Sequence, residues 1–216
     1  MRGPAICVFL VSLLMTTAQG FPASQEVVDG IVARVENDII LLSDIRTLSR
    51  YQQFLDGKSE TDSQILDRLI DQWVVRTEAD VSRFPHPYDA EIERDLDRLR
   101  KSFASPEQYE ARRKQSGLGE PEVRSILASQ LYLNNYLDSR FRPSVQVDSK
   151  AIEDFYASAV VPQAKARGQE PPTLDAAHDA IQEALVQRGI NEQADKWLKE
   201  SRARLHVEIL LDRGAK

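Results

Sequence analysis

Apolar residues alternate in a few short stretches of this chain and recur at helical spacing almost everywhere else. Val27-Val28-Asp29-Gly30-Ile31-Val32-Ala33-Arg34-Val35 is rich in β-branched residues, and a period of two puts Ile31, Ala33 and Val35 on one face. Asn37-Asp38 tolerates the left-handed backbone of a tight turn, and Ile39-Ile40-Leu41-Leu42 supplies a return strand, so a hairpin is predicted. Two strands alone are marginal in water and leave open edges. His206-Val207-Glu208-Ile209-Leu210-Leu211 is the other convincing strand, and it is expected to return and complete the sheet. The fold class that follows is mainly α with a small β-sheet: a multi-helix domain whose N-terminal hairpin is completed by a C-terminal strand.

Between the strands the period is helical. Ile45, Leu48, Tyr51 and Phe54 predict a first helix over 43–55, capped by Ser43 and stopped at Gly57. Ile65, Leu66, Leu69, Ile70, Trp73 and Val74 predict a second from Asp62 or Ser63, with Asp67, Arg68, Asp71, Gln72 and Arg76 pointing away. Phe84-Pro85-His86-Pro87 breaks the pattern. Asp89 is placed to cap a third helix whose stripe of Ile92, Leu96, Leu99 and Phe103 is narrow for so charged a segment, which predicts an exposed arm.

Ser105-Pro106 opens a short helix ending near Gly117, and Glu120-Pro121 a longer one with a broad apolar arc from Val123 to Phe141. Residues 142–147 read as an extended connector. Asp148 caps a helix carrying Ile152, Phe155, Tyr156 and Val160, with Pro162 as its stop, and Thr173 caps another that Gly189 is expected to interrupt. A last helix carries Ile190, Ala194, Trp197 and Leu198. The organisation expected is a leader over 1–20, hairpin and first helices over 27–82, a helical arm over 87–141, and C-terminal helices with the closing strand over 144–211.

The leader has a short basic start at Arg2, an apolar run from Ala5 to Leu14 and small residues at Ala18-Gln19-Gly20, the pattern of a secretory signal cleaved before Phe21. Cys7, the single cysteine, lies within it, so the mature chain is expected to hold no disulfide and no thiolate metal site. A composition of 42% hydrophobic and 29% charged residues is globular, and a net charge of −6 gives no basic field for nucleic acid. No stable membrane insertion is expected.

Chemistry-bearing patterns are sparse. His86, His178 and His206 stand far apart without metal-ligand neighbours, and no nucleophile turn or phosphate loop is present, so no catalytic residue, metal or cofactor is expected. Carboxylates such as those of Glu91-Ile92-Glu93-Arg94-Asp95 alternate with arginines as on a solvated helix face. What remains is aromatic surface on slender charged helices. Phe84, Tyr88, Phe103, Tyr109, Tyr132, Tyr136 and Phe141 are the candidate peptide-binding residues, with packing between helices as the plainer role for each.

The stretch from Val27 to Ile45, ending Ile39-Ile40-Leu41-Leu42-Ser43-Asp44-Ile45, resembles the opening of the SurA-type periplasmic chaperones, and Leu66-Asp67-Arg68-Leu69-Ile70-Asp71-Gln72 resembles their second helix. Pro143-Ser144-Val145-Gln146-Val147 through Phe155-Tyr156 is similar to the segment that precedes their parvulin-type prolyl isomerase domain, and Trp197 to Ile209 to their closing helix and strand. The resemblance implies a periplasmic, ATP-independent chaperone for unfolded or partly folded exported polypeptides, outer-membrane proteins among them. It also marks a departure. Only a few loop residues separate Tyr156 from Thr173, where an isomerase domain needs on the order of 90 residues, so the isomerase is expected to be absent. The alternatives are a shortened isomerase and an adaptor for one folded partner. Exchange of terminal segments between two copies is a second way to complete the sheet.

Overall fold

The computed structural model describes residues 29–211. The expected leader, its cleavage site near Gly20 and the residues Val27 and Val28 lie outside them. Among the described residues the protein is mainly α, with one small antiparallel sheet in which β1 (Ile31–Val35) lies between β2 (Asp38–Leu41) and β3 (Val207–Ile209). The closing strand therefore joins the hairpin along β1, with Val35 facing Val207 and Ala33 facing Ile209. The Glu36 N–H donates to the His206 carbonyl (3.0 Å), and the His206 N–H to the Glu36 carboxylate (2.7 Å).

Two details of the hairpin differ from expectation. A bulge between Ile31 and Ala33 shifts the register, so Ile31 is exposed while Val32, Ala33 and Val35 are buried. The turn falls one residue early: Val35 pairs with Asp38, and Glu36, at φ 52, takes the left-handed position.

Helix α1 (Leu42–Asp56) starts without help from the Ser43 hydroxyl. The Asp44 carboxylate accepts the Leu41 N–H (2.9 Å), and the Asp29 carboxylate accepts the Ser43 N–H (3.1 Å), so full negative charges meet the positive end of the helix. Gly57, at φ 74, ends it as expected. Thr61 and Gln64 cap α2 (Asp62–Val81) reciprocally. Ile65, Leu66 and Ile70 of α2 bury the inner face of the sheet together with Ile45.

The expected arm comprises α3 (Asp89–Ser102), α4 (Pro106–Gln115) and α5 (Glu120–Phe141). It does not stand free of α1: Leu96, Tyr109, Leu118 and Val123 enclose Tyr51 and Phe54. The narrow stripe on α3 is enough because only Ile92 and Leu96 need covering, and its charges serve at the rim, where Arg124 of α5 bridges Asp89 and Glu93 (2.8 and 3.0 Å). Asp89 is the first helical residue rather than the cap, and Glu91 closes the end by accepting the Tyr88 N–H (2.8 Å).

Three later elements depart from expectation for reasons of packing. Residues Arg142–Ser144 form a 3₁₀ turn instead of an extended connector. Pro162 does not stop the helix that follows Asp148. A π turn over Tyr156–Val160 joins α6 (Ser149–Phe155) to α7 (Val161–Ala166), and Pro162 falls in the first turn of α7, where a missing N–H costs little. Finally, α8 (Leu174–Arg202) runs unbroken through Gly189. A Cβ there would come within 2.7 Å of Val145 Cγ1, so the glycine admits the connector to the side of the helix. At the far end of α8, Arg202 reaches Asp67 (2.8 Å) and Asp71 (3.2 Å) of α2. Asp71, placed outward by the sequence pattern, is half-buried under this clamp, and that burial holds its carboxyl above its ordinary range.

Candidate functional site

The candidate aromatic residues fall into separate groups. Phe103 and Tyr109 belong to a sealed cluster around Phe54, with ring centroids 5.1 and 5.4 Å from it. Tyr109 is 3% exposed and donates its hydroxyl to Glu120 (2.9 Å). Phe84, Tyr132 and Tyr136 form a second group at the α2–α5 contact, with centroids of Phe84 to the two tyrosines at 6.0 and 5.5 Å. Phe141 lies beside Trp197 (5.9 Å), and Arg140 lies over both rings. Tyr88, at 75% exposed, joins none of these groups. The structure thus brings Phe84, Tyr132 and Tyr136 together, keeps Tyr109 and Phe103 elsewhere, and commits most of the set to internal packing.

One concave surface lies between α2 and α5. A cleft of about 350 Å³ opens where α1, α2 and α5 meet, with Leu48, Leu69, Trp73, Ile126 and Leu133 supplying apolar walls. Asp44, Gln72, Arg76 and Gln130 form part of its polar lining. A second cleft, of about 480 Å³, is lined by His86, Pro87, Ile92, Ala128 and Tyr132. Arg76, Ser125 and Ser129 line both, so the two clefts form one furrow divided at that point. From Leu69 to Asp80 the α2 wall rises about 1.5 Å per residue, a run of roughly 17 Å. That span matches about five residues of extended polypeptide at about 3.4 Å each. Ser125, Ala128 and Ser129 present short side chains on the α5 side, which lets another backbone come close.

Polar side chains line the furrow along its whole length, Asp80 among them in the second cleft. Trp73 Nε1 donates to Asp38 (2.8 Å), which fixes the indole plane at the first cleft. In the second, Tyr132 donates its hydroxyl to Asp80 (2.7 Å) and stacks on His86 at 4.3 Å. Burial and then the bond to Asp80 push the Tyr132 phenol up to about 12. Of the candidate aromatics, only Tyr132 lines either cleft. Sequence reasoning missed Trp73, Ser125 and Ser129 as surface formers; it placed Gln72 and Arg76 outward, and Arg76 is indeed exposed while both line the first cleft. The available signal was a run of small residues, Ser125, Ala128 and Ser129, inside an otherwise bulky apolar arc.

A third recess, of about 700 Å³, lies between the start of α2 and Ile209, Leu210 and Leu211. Among the described residues, no group of three or more His, Cys, Asp or Glu could hold a metal ion, and no helix is long and apolar enough to cross a membrane. No family model matches the chain, and no curated protein matches it either.

Proposed function

We propose that this chain is an ATP-independent periplasmic chaperone that holds unfolded or partly folded exported polypeptides, outer-membrane proteins among them, without catalysing a reaction on them. The observation that carries the reading is the α2–α5 furrow, which sets apolar side chains among polar ones and has room for a short extended segment. Each apolar client side chain buried there contributes about 1.5–3 kcal/mol before ordering costs. A micromolar complex needs about −8 kcal/mol, so a few such contacts hold a client and still let it leave. The reading includes no prolyl isomerase activity, since the stretch between Tyr156 and Thr173 is taken up by the π turn, α7 and a short loop.

The test is light scattering during dilution of several unrelated denatured proteins into the chaperone. Aggregation of each should fall, and Ser129→Trp, which fills the furrow, should weaken the protection without changing the melting temperature. Protection of a single client in a fixed stoichiometric complex would favour an adaptor instead. Turnover in a protease-free isomerase assay would overturn the non-catalytic reading.

A further inference from the structure

Arg76 stands exposed at the point shared by the two clefts. Its Nη2 donates to the neutral hydroxyl of Ser129 (3.0 Å), and among the described residues no carboxylate comes within 4.0 Å of its guanidinium. Two acids also line the furrow, and each accepts a bond from another donor while keeping its charge. Asp80, one helical turn along α2, accepts the Tyr132 hydroxyl, and Asp44 accepts the Leu41 N–H. Most arginines near other helix contacts are paired: Arg124 with Asp89 and Glu93, Arg142 with Asp138 and Glu183, Arg202 with Asp67 and Asp71. A guanidinium presents a planar fork of donors that a carboxylate fills with two parallel bonds, and a hydroxyl uses only part of it.

We propose that Arg76 is a specificity-determining residue which selects client segments carrying a carboxylate flanked by apolar side chains. The carboxylate displaces Ser129 Oγ from the fork, and the flanking side chains enter the cleft on either side, one against Trp73 and Leu133, the other against Ile92 and Tyr132. The carboxylate is that of an internal Asp or Glu, or the free end of a polypeptide. This inference rests on the chaperone reading above and names the substrate feature that reading leaves open.

Fluorescence anisotropy tests it with three short peptides bearing a neutral dye and identical apolar residues. One has an internal Asp and an amidated end, one has Asn in its place and a free carboxyl end, and one has Asn and an amidated end. Either or both carboxylate peptides should bind about tenfold more tightly than the third, the scale of a charge-assisted pair, and which of them does identifies the source. Arg76→Gln should remove that preference, so that the three peptides bind it alike. Arg76→Lys, which keeps the charge without the fork, should retain part of it, and circular dichroism should show all variants folded. Equal binding of the three peptides by a protein that still suppresses aggregation would overturn the carboxylate selectivity alone. Failure to bind any of them or to protect any client would overturn the chaperone reading and this inference with it. A preference that survives Arg76→Gln would also reject the assignment.

Discussion

The two aromatic clusters are built from the same kinds of residue and do different work. Around Phe54, the rings of Tyr51, Phe103 and Tyr109 interlock across α1 and α4, and Phe54 itself is 0% exposed. Around Tyr132, the rings of Phe84, His86 and Tyr136 pack where α2 meets α5, and Tyr132 keeps one edge in a cleft although it is only 4% exposed. Burial alone does not separate them. What differs is the partner of the phenol: Glu120, anchored by Arg100 and Arg113 inside the arm, for Tyr109, and Asp80, a neighbour of Arg76, for Tyr132. One cluster holds the arm against α1, and the other packs α2 against α5 at the edge of the furrow.

The largest effect expected is from Phe54→Ala, which removes the centre of the sealed cluster. It should cost about 3–5 kcal/mol in urea unfolding, as for other fully buried aromatics. A loss below 1 kcal/mol would mean that the arm does not depend on this cluster.

Next come the two hydroxyl deletions, Tyr109→Phe and Tyr132→Phe. Each breaks a bond to a carboxylate and should cost about 1.5–3 kcal/mol. They should part company in binding. Tyr132→Phe releases Asp80 to turn toward Arg76 and should weaken affinity for carboxylate peptides, whereas Tyr109→Phe should leave it unchanged. Identical binding by both variants would erase the distinction between the clusters.

Alkaline titration tests both clusters together. Tyr51, Tyr109 and Tyr132 are all pushed up to about 12, in each case first by burial. Because the folded state keeps these protons above the pH at which unfolded phenols lose them, the stability they lend is complete below about pH 10 and is lost as pH climbs toward about 12. Urea midpoints should fall through that window while ultraviolet absorbance reports phenolate formation, and Tyr132→Phe should lessen the decline. The smallest effect belongs to Tyr88→Ala, within about 0.5 kcal/mol, because that ring is exposed and its backbone makes the cap contact.

Elements governed by neighbours in sequence were legible in advance. Gly57, Pro106, Pro121, Asp148 and Thr173 mark helix ends through backbone conformation or capping, and each of those ends falls where the residue dictates. The return of 207–209 to the hairpin was legible because an open sheet edge needs a partner and the chain offers one. Features fixed by distant contacts were not. Gly189 has the local character of a helix breaker, and the position of Val145 against it shows why a residue without a Cβ sits there in mid-helix. The bulge at Ile31 leaves no mark in a period-two pattern. Phe84 and Tyr109 look alike in sequence, and the helix each one meets decides which cluster it joins. Arg76 looked like any outward charge, since the engagement of Asp80 by Tyr132 arises across two helices.

The rung between Arg34 and Glu208 joins positions 174 apart. Closing a loop of that size carries a large entropic penalty, and topologies with such distant pairings assemble slowly. The helices between can nucleate locally, so β3 should be the last piece to settle. Until it does, β1 offers a bare row of amides to any neighbouring chain. A protein proposed to shelter unfolded clients thus passes through an interval in which it resembles one.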